Sequence, residues 1–187
     1  MALGSQPADP QPGGRAPAPG DLALVQAFIN SNYDLEYDHG VELLESPEAL
    51  TAWLRRRRLV DREARATKAD LERAITLRES LRELLIARHE GREAGFESTI
   101  EVSLKLGAGG AHFATAGDDV QSALDLILAR AAASQLTGAW NRLKACKECS
   151  WAFYDHSRNG AGSWCSMKVC GGRVKQRTYY RRTSTQS

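Results

Sequence analysis

Residues 67–85 read T-K-A-D-L-E-R-A-I-T-L-R-E-S-L-R-E-L-L, and this stretch decides the fold class. Thr67 and Asp70 stand three residues apart, which is the spacing of a capping box at a helix N-terminus. Gly91 and Gly95 suit the end of the helix. The apolar residues between these signals recur every three or four positions and predict one buried helix face: Leu71, Ala74, Leu77, Leu81, Leu84 and Leu85.

Three helices are predicted before this long one. The first follows Asp21, a short one lies around Leu43 and Leu44, and another begins at Ser46-Pro47, with proline at its first position. Residues 55–58, R-R-R-R, point all around a helix, so we interpret them as a solvated cationic helix end rather than a nucleic-acid patch. The apolar residues expected in the core are Leu22, Leu24, Val25, Phe28, Ile29, Leu50, Trp53 and Leu54.

A β-hairpin is predicted after the long helix. Residues 99–106, T-I-E-V-S-L-K-L, alternate with period two, 107–110 form a turn, and 111–115 form a second short strand. Because the glycine-rich turn joins two strands and lacks a following Lys-Ser/Thr, it is not a phosphate loop. A further helix begins at Asp118 or Asp119 and runs to about Ser134. The expected fold class is mainly α with a small β-hairpin (α+β).

Composition divides the chain into regions. Residues 1–20 hold five of the six prolines and almost no large apolar side chain, so they are predicted to be a disordered leader. From Lys144 to the end there are nine Lys or Arg and two acids, a net charge of +7, whereas the rest of the chain carries −5. Such a split marks regions with different partners. We therefore expect an α-rich domain at about 21–135 and a C-terminal module at about 140–183.

Several functional classes are disfavoured. No apolar run approaches the roughly 18 to 20 residues of a membrane span, and no secretory signal is visible. A cytoplasmic protein without membrane contact is therefore expected. The sequence contains no G-x-S-x-G, H-E-x-x-H or G-x-G-x-x-G, so we assign no catalytic residue and expect no enzyme. Asn30, Trp53 and Arg78 would indicate a small-molecule or enzymatic site if they met in one polar pocket; an ion pair is the expected role of Arg78.

The four cysteines fall in C-K-E-C and in C-x4-C, fifteen residues further on: Cys146, Cys149, Cys165 and Cys170. This spacing is typical of zinc sites, and four thiolates supply the tetrahedral shell that Zn²⁺ prefers. A disulfide framework is disfavoured in a reducing cytosol; a redox pair and an iron–sulfur cluster remain as alternatives. His156 lies between the pairs, but four cysteines complete the shell without it. The other histidines show no ligand spacing: His39, His89 and His112.

A closed four-thiolate site is structural, because catalytic zinc keeps one position open for water. The metal would supply folding energy that a module of about 40 residues cannot gather from apolar burial. Trp151, Phe153 and Trp164 are expected to pack around it as a small core; stacking of nucleic-acid bases on them is the alternative.

The residues after Cys170, G-G-R-V-K-Q-R-T-Y-Y-R-R, predict a cationic helix with Arg173, Arg177 and Arg181 on one face. Such a helix suits the DNA phosphate backbone. The alternatives are a basic terminus that only keeps the protein in solution, and a zinc-stabilised module for a protein or RNA partner, including a second copy of the chain. The residues expected at DNA are Lys168, Arg173, Lys175, Arg177, Arg181 and Arg182.

The cysteine module, C-K-E-C-S-W-A-F-Y-D-H-S-R-N followed by W-C-S-M-K-V-C-G-G-R-V-K-Q-R-T-Y-Y-R-R, resembles the CGNR-type zinc finger. In that family the finger usually follows a domain called ABATE, proposed to be a stress-induced transcription regulator domain of bacteria. F-I-N-S at 28–31 resembles an early Phe-x-Asn-Thr motif of that domain, and S-P-E-A-L-T-A-W-L and L-R-E-S-L-R-E-L-L resemble its helices. The resemblance implies zinc on the four cysteines, DNA binding and transcription regulation.

Two departures from the family pattern stand in the finger. The tetrapeptide Cys-Gly-Asn-Arg appears here as Cys170-Gly171-Gly172-Arg173, which keeps backbone freedom and loses a side-chain bond. Residues 160–163, G-A-G-S, replace a stretch that commonly carries arginine. Both changes leave the zinc ligands in place and remove polar groups or charge from the expected DNA surface.

Overall fold

The computed structural model describes residues 11–32 and 42–184 of the chain. Within these ranges the protein is mainly helical, with two small antiparallel sheets of two strands each. Short 3₁₀ turns occupy Pro12–Gly14 and Ala139–Arg142, and a π-helical turn, Met167–Gly171, precedes the last helix. The predicted class is confirmed. The elements in chain order are α1 (Leu22–Ile29), α2 (Pro47–Arg56), α3 (Lys68–Glu90), β1 (Val102–Gly107), β2 (Gly110–Thr115), α4 (Val120–Leu136), β3 (Leu143–Ala145), β4 (Ala152–Tyr154) and α5 (Gly172–Ser184).

Helices α1 to α4 enclose the main hydrophobic core. The rings of Phe28 and Trp53 meet edge to face at its centre, with centroids 5.7 Å apart. None of the described helices is both long and apolar enough to cross a bilayer. All the apolar residues predicted for the faces of α1 and α2 are buried, as are these members of the α3 and α4 faces: Ala74, Leu77, Leu81, Leu85, Leu124, Ile127 and Ala131.

The predicted helix ends are largely confirmed. Thr67 and Asp70 form the complete capping box, in which each side chain accepts a hydrogen bond from the other residue's backbone N–H. Gly91 ends α3 with φ of 71°, in the left-handed region that glycine tolerates best. Ser46 and Asp119 cap α2 and α4 through their side-chain oxygens.

Two predictions in the first half of the chain were wrong. Leu43 lies in a bend and Leu44 in irregular backbone, so neither is in a helix. The backbone N–H of Leu43 donates to the Ser31 carbonyl at 2.8 Å, and Leu44 is buried in the core. A leucine pair can therefore anchor a loop to the core without helical geometry. The preceding residues 33–41, and with them His39, lie outside the described residues.

The arginines at 55–58 do not form a uniformly solvated helix end. The guanidinium of Arg57 is buried against the Trp53 ring, 3.8 Å from its centroid. Arg55 donates to three backbone carbonyls of the following loop, at residues 61, 62 and 64. Arg57 is thus engaged by the Trp53 ring, and Arg55 by backbone carbonyls. These two arginines stabilise the fold and are not part of a binding patch.

The predicted β1–β2 hairpin forms, but its first strand begins at Val102 rather than at residue 99, and pairing runs from Val102 with Thr115 to Gly107 with Gly110. Its apolar face is covered only near its base. Leu104 and Leu106 are 57% and 77% exposed. Period-two alternation therefore predicts the strand and its apolar face, but it does not predict how many residues of that face are buried.

Residues 11–20 form specific contacts, so the prediction of a disordered leader does not hold for them. Residues 1–10 of the predicted leader lie outside the described ranges. Ala18 is buried, and its N–H donates to the Gln26 side chain at 2.6 Å. The Arg15 guanidinium lies 4.7 Å from the centroid of the Phe153 ring. A few specific polar and cation–π contacts are enough to fix a segment whose composition lacks apolar side chains.

Candidate metal centre

The first cysteine pair sits in a tight turn between β3 and β4. Cys146 follows β3 directly, and its N–H donates to the Trp151 carbonyl at 2.9 Å. The Ser150 N–H returns to the Cys146 carbonyl, also at 2.9 Å. Ser150 has φ of 56°, in the left-handed region that non-glycine residues rarely adopt. The hairpin hydrogen bonds hold this conformation, which directs the Cys146 and Cys149 thiols to the same side.

The second pair is brought to the same point by a capped helical turn. Cys165 precedes Ser166, whose side-chain oxygen accepts from the N–H groups of Lys168 and Val169 at 3.2 and 3.4 Å. The π-helical turn that follows places Cys170 beside Cys165. The longer C-x4-C spacing is thus accommodated by a wider helical turn.

The four sulfur atoms lie within 4.8 Å of one another. The Sγ–Sγ distance is 3.8 Å from Cys149 to Cys165, and 3.6 Å from Cys170 to each of these two. All four cysteines are free and buried, and these distances are far beyond the roughly 2.05 Å of a disulfide. Four sulfurs about 2.3 Å from a central zinc would stand about 3.8 Å apart. The cluster therefore has the size of a tetrahedral metal site.

The thiols are electrostatically poised for a cation. Burial raises the pKa of Cys170, and the nearby Cys146 sulfur raises it further. Four thiolates in so small a volume repel one another and are poorly solvated, so a divalent cation is needed to hold all four ionised.

The aromatic residues expected around the site are there. Trp151 and Phe153 are buried together with the four cysteines, and Trp164 and Val169 pack against this cluster. His156 is exposed, and its ring nitrogen lies 3.1 Å from the Pro17 carbonyl. His156 therefore stands outside the sulfur cluster.

Comparison with protein families agrees with this geometry. The CGNR zinc finger family matches residues 142–183. The ABATE family, described as "Putative stress-induced transcription regulator", matches residues 20–145, more than half of the chain. The chain belongs to the ABATE family. The resemblance drawn from the sequence is confirmed for both parts. A search of curated proteins found no match.

The ABATE domain holds the finger through its Phe-x-Asn motif. The Asn30 side chain accepts from the Ala152 N–H at 2.8 Å and donates to the Ala152 carbonyl at 2.8 Å. Gln26 donates to the same carbonyl at 3.1 Å. All three residues are buried. Asn30 thus hydrogen-bonds to both the N–H and the C=O of Ala152. A neighbouring β-strand would bind β4 through the same two backbone groups.

Asn30, Trp53 and Arg78 do not share one polar site. Trp53 stacks with Arg57 in the core. Arg78 is buried and forms ion pairs with Glu42 at 2.8 Å and Glu79 at 2.7 Å, which confirms the ion pair expected for it. These contacts give each of the three a separate structural role.

Asp155 organises the loop between the two cysteine pairs. Its buried carboxylate accepts from the Lys144 ammonium at 2.8 Å, the Ser157 hydroxyl at 2.7 Å and the Gly162 N–H at 2.7 Å. Burial raises the pKa of this carboxyl, but the hydrogen bonds from Lys144, Ser157 and Gly162 outweigh it and hold the pKa well below its ordinary value. Lys144 also donates to the Gly160 and Gly162 carbonyls, so it belongs to this loop.

Replacing Asp155 by asparagine is expected to destabilise the metal-loaded protein by roughly 2–4 kcal/mol, because the partly buried Lys144 loses its counterion. A carboxylate with a depressed pKa contributes stability above its unfolded pKa of about 4 and loses it as the pH falls below that value. The difference from the wild type should therefore be the same at pH 6 and pH 8 in urea denaturation. The exposed Asp118→Asn is the matched control. Equal stability of Asp155→Asn and wild type would contradict this role.

The two departures from the family pattern have different structural settings. Gly172 has ordinary helical angles, φ −64° and ψ −45°, so its extra backbone freedom is not used. Gly162 is constrained: a Cβ there would come within 2.9 Å of the Asp155 carboxylate. The loop glycine at 162 is thus explained by its contact with Asp155, whereas nothing in the structure requires glycine at 172.

Helix α5 carries the predicted cations, but its central arginine is engaged. Arg177 forms an ion pair with Glu148 of the C-K-E-C turn; the Glu148 side chain is 8% exposed and that of Arg177 53%. The other predicted bases are exposed: Lys168, Arg173, Lys175, Arg181 and Arg182. The Glu148 contact fixes α5 against the metal centre and balances one charge of the predicted arginine face.

Sequence reasoning missed Asn30 as a clamp, and it missed the roles of Asp155 and Glu148. A signal for the two acids was present. They are the two acids of a segment with nine Lys or Arg, and each is buried beside a base. Isolated acids in a strongly basic module thus indicate internal ion pairs.

Proposed function

We propose that this protein is a cytoplasmic bacterial transcription regulator whose C-terminal zinc finger binds the DNA backbone. The observation that carries the proposal is the attachment of a helix with five Lys or Arg and no acid, α5, directly to the four-sulfur cluster. A rigid cationic helix can follow the phosphate backbone or enter the major groove. The family descriptions, a transcription regulator and a zinc finger, support the same assignment.

Zinc is the metal proposed for the cluster, held by Cys146, Cys149, Cys165 and Cys170. Four thiolates at tetrahedral spacing suit Zn²⁺, and free cysteines suit a reducing compartment. Zinc would neutralise the thiolates and stabilise the fold of the finger. Because four sulfurs leave no position for water, we assign the metal no catalytic role.

The geometry of α5 favours one of its faces for DNA contact. Lys175, Tyr179 and Arg182 are spaced i, i+4 and i+7, so they share a helix face. Arg177 points to the other side, where it meets Glu148. We therefore propose that Lys175 and Arg182, rather than Arg177, carry the main phosphate contacts of this helix.

Binding should be measured by fluorescence anisotropy of the zinc-loaded protein on a labelled random duplex at two salt concentrations. The wild type is expected to bind and to weaken steeply with salt. Lys175→Ala/Arg182→Ala should bind more weakly, with a log–log salt slope smaller by about 2, because about 0.9 is lost per phosphate contact.

The control is Lys68→Ala/Lys105→Ala, which removes the same net charge from exposed positions of the ABATE domain. This control should keep the wild-type slope. Equal loss in both double variants would show that net charge alone acts, which contradicts a site on α5. If the protein with confirmed zinc content does not bind DNA at low salt, the proposal that it binds DNA by itself is wrong. That result would favour a protein partner. A preference for single strands would favour RNA.

A further inference from the structure

We propose that the ABATE domain contains a binding site for a small, uncharged molecule that combines an apolar part with a neutral polar group. The site is a cleft of about 590 Å³ between α3, α4, the segment 92–101, which has no regular secondary structure, and the 3₁₀ turn before β3. Small-molecule sites commonly have volumes of roughly 300–1,000 Å³. The lining residues come from four separate segments, including Leu84, Phe96, Leu128 and Trp140, which is why no sequence motif marks them.

The lining determines the class of ligand. Among the described residues that line the cleft, none carries a charge. Leu81 and Trp140 are buried in the floor, while Leu84 and Leu128 are partly exposed to the cleft. A charged ligand would lose hydration there without gaining a counterion from the lining, which disfavours its binding. The neutral polar side chains of the lining, Ser98, Gln135 and Asn141, can hydrogen-bond one polar group of a ligand.

The outer wall of the cleft is a segment anchored at both ends. At one end the Arg92 N–H donates to the Ala87 carbonyl at 3.0 Å. At the other end the Glu101 N–H donates to the Asp125 carboxylate at 3.0 Å. Between these anchors the Phe96 side chain remains 39% exposed, although it is large and apolar. The apolar part of a ligand in the cleft would cover this ring and the leucines opposite it.

The cleft adjoins the start of the finger. The Trp140 carbonyl accepts from Arg88 at 2.9 Å, and Arg88 also donates to the Leu143 carbonyl at the start of β3. Cys146 follows β3 directly. Arg88 thus links Trp140 to β3, the strand that leads directly to Cys146. A ligand that contacts Trp140 would therefore lie close to the start of the metal-binding module. The binding proposal itself does not depend on DNA or metal binding.

The test uses the full chain and N-phenyl-1-naphthylamine, a neutral apolar dye whose fluorescence rises on binding. Wild type is expected to give a saturable signal at one dye per chain. Ala132→Phe places a ring in the cleft from an exposed position of α4 and should weaken binding roughly tenfold or more. Ala116→Phe adds the same ring at an exposed position outside the cleft and should leave binding unchanged. Absence of saturable binding to wild type, or equal affinity of both variants, would overturn the proposal.

Two further measurements test the position of the site and the charge of its ligand. Phe96→Ala removes the exposed ring without disturbing the core and should weaken dye binding roughly threefold to tenfold through lost apolar contact; unchanged affinity would contradict a site at this cleft. Decanol should displace the dye, and decanoate should do so much less well. Equal displacement by decanoate would overturn the assignment of an uncharged ligand.

Discussion

Cys170→Ser is expected to lose bound zinc and to unfold the finger from about residue 146 onward while the ABATE core stays folded. Cys170 is fully buried among the other three thiols. The apolar cluster around the four sulfurs is small, so the proposed zinc is expected to supply most of the stability of this module. Structural zinc contributes an apparent free energy of roughly 10–16 kcal/mol in zinc-finger peptides.

Three measurements check this result. Metal analysis after gel filtration should give one zinc per wild-type chain and much less in the variant. Tryptic cleavage after Lys168 and Arg173 should become fast, and circular dichroism should retain most of the helical signal of α1 to α4. His156→Ser is the control, because His156 lies outside the sulfur cluster, and it should keep its zinc. A Cys170→Ser protein with one tightly bound zinc would contradict the four-sulfur assignment.

Asn30→Ala is also expected to have a large effect, because it breaks the contact between the ABATE domain and the finger. The Ala152 N–H would be left buried without its acceptor, whereas the Ala152 carbonyl would keep the bond from Gln26. One unsatisfied buried group and a second lost hydrogen bond together cost roughly 2–4 kcal/mol. For a chain of this size the melting temperature should fall by roughly 5–15 °C.

The clamp can be separated from a general loss of stability. Asn159→Ala removes an exposed asparagine of the finger loop and should change the melting temperature little. In Asn30→Ala, zinc release to a chelator should also become faster than in wild type, since β4 adjoins the cysteine turn. An Asn30→Ala protein with the melting temperature of wild type would show that the clamp is dispensable.

Local periodicity predicted the helices well, because the core of this protein is built from helix faces with regular spacing. The capping box of Thr67 and Asp70 and the four cysteines are likewise local patterns with one dominant physical meaning. Contacts between distant segments were not predicted. Arg15 on Phe153 and Asn30 on Ala152 join residues more than 120 positions apart. No periodicity or spacing encodes such pairs.

The candidate metal site, like the fold, was predicted where it depends on local sequence patterns and not where it depends on contacts between distant segments. The sequence predicts which cysteines meet, since a metal imposes a short list of spacings. It does not predict that Glu148 holds Arg177, because the orientation of α5 depends on packing against the cysteine turn. The face of a helix that remains available to a partner is set by its tertiary contacts, and a list of its basic residues does not contain that information.

The contact of Asn30 with Ala152 uses backbone atoms of the finger alone. Every amino acid except proline offers the same N–H and C=O, so this contact demands nothing of position 152 beyond a small side chain in a buried place. Mutations elsewhere on the finger therefore leave the hydrogen-bonding groups of this contact unchanged. During evolution, the exposed surface of the finger can therefore change while the Asn30 contact that joins it to the ABATE domain stays the same.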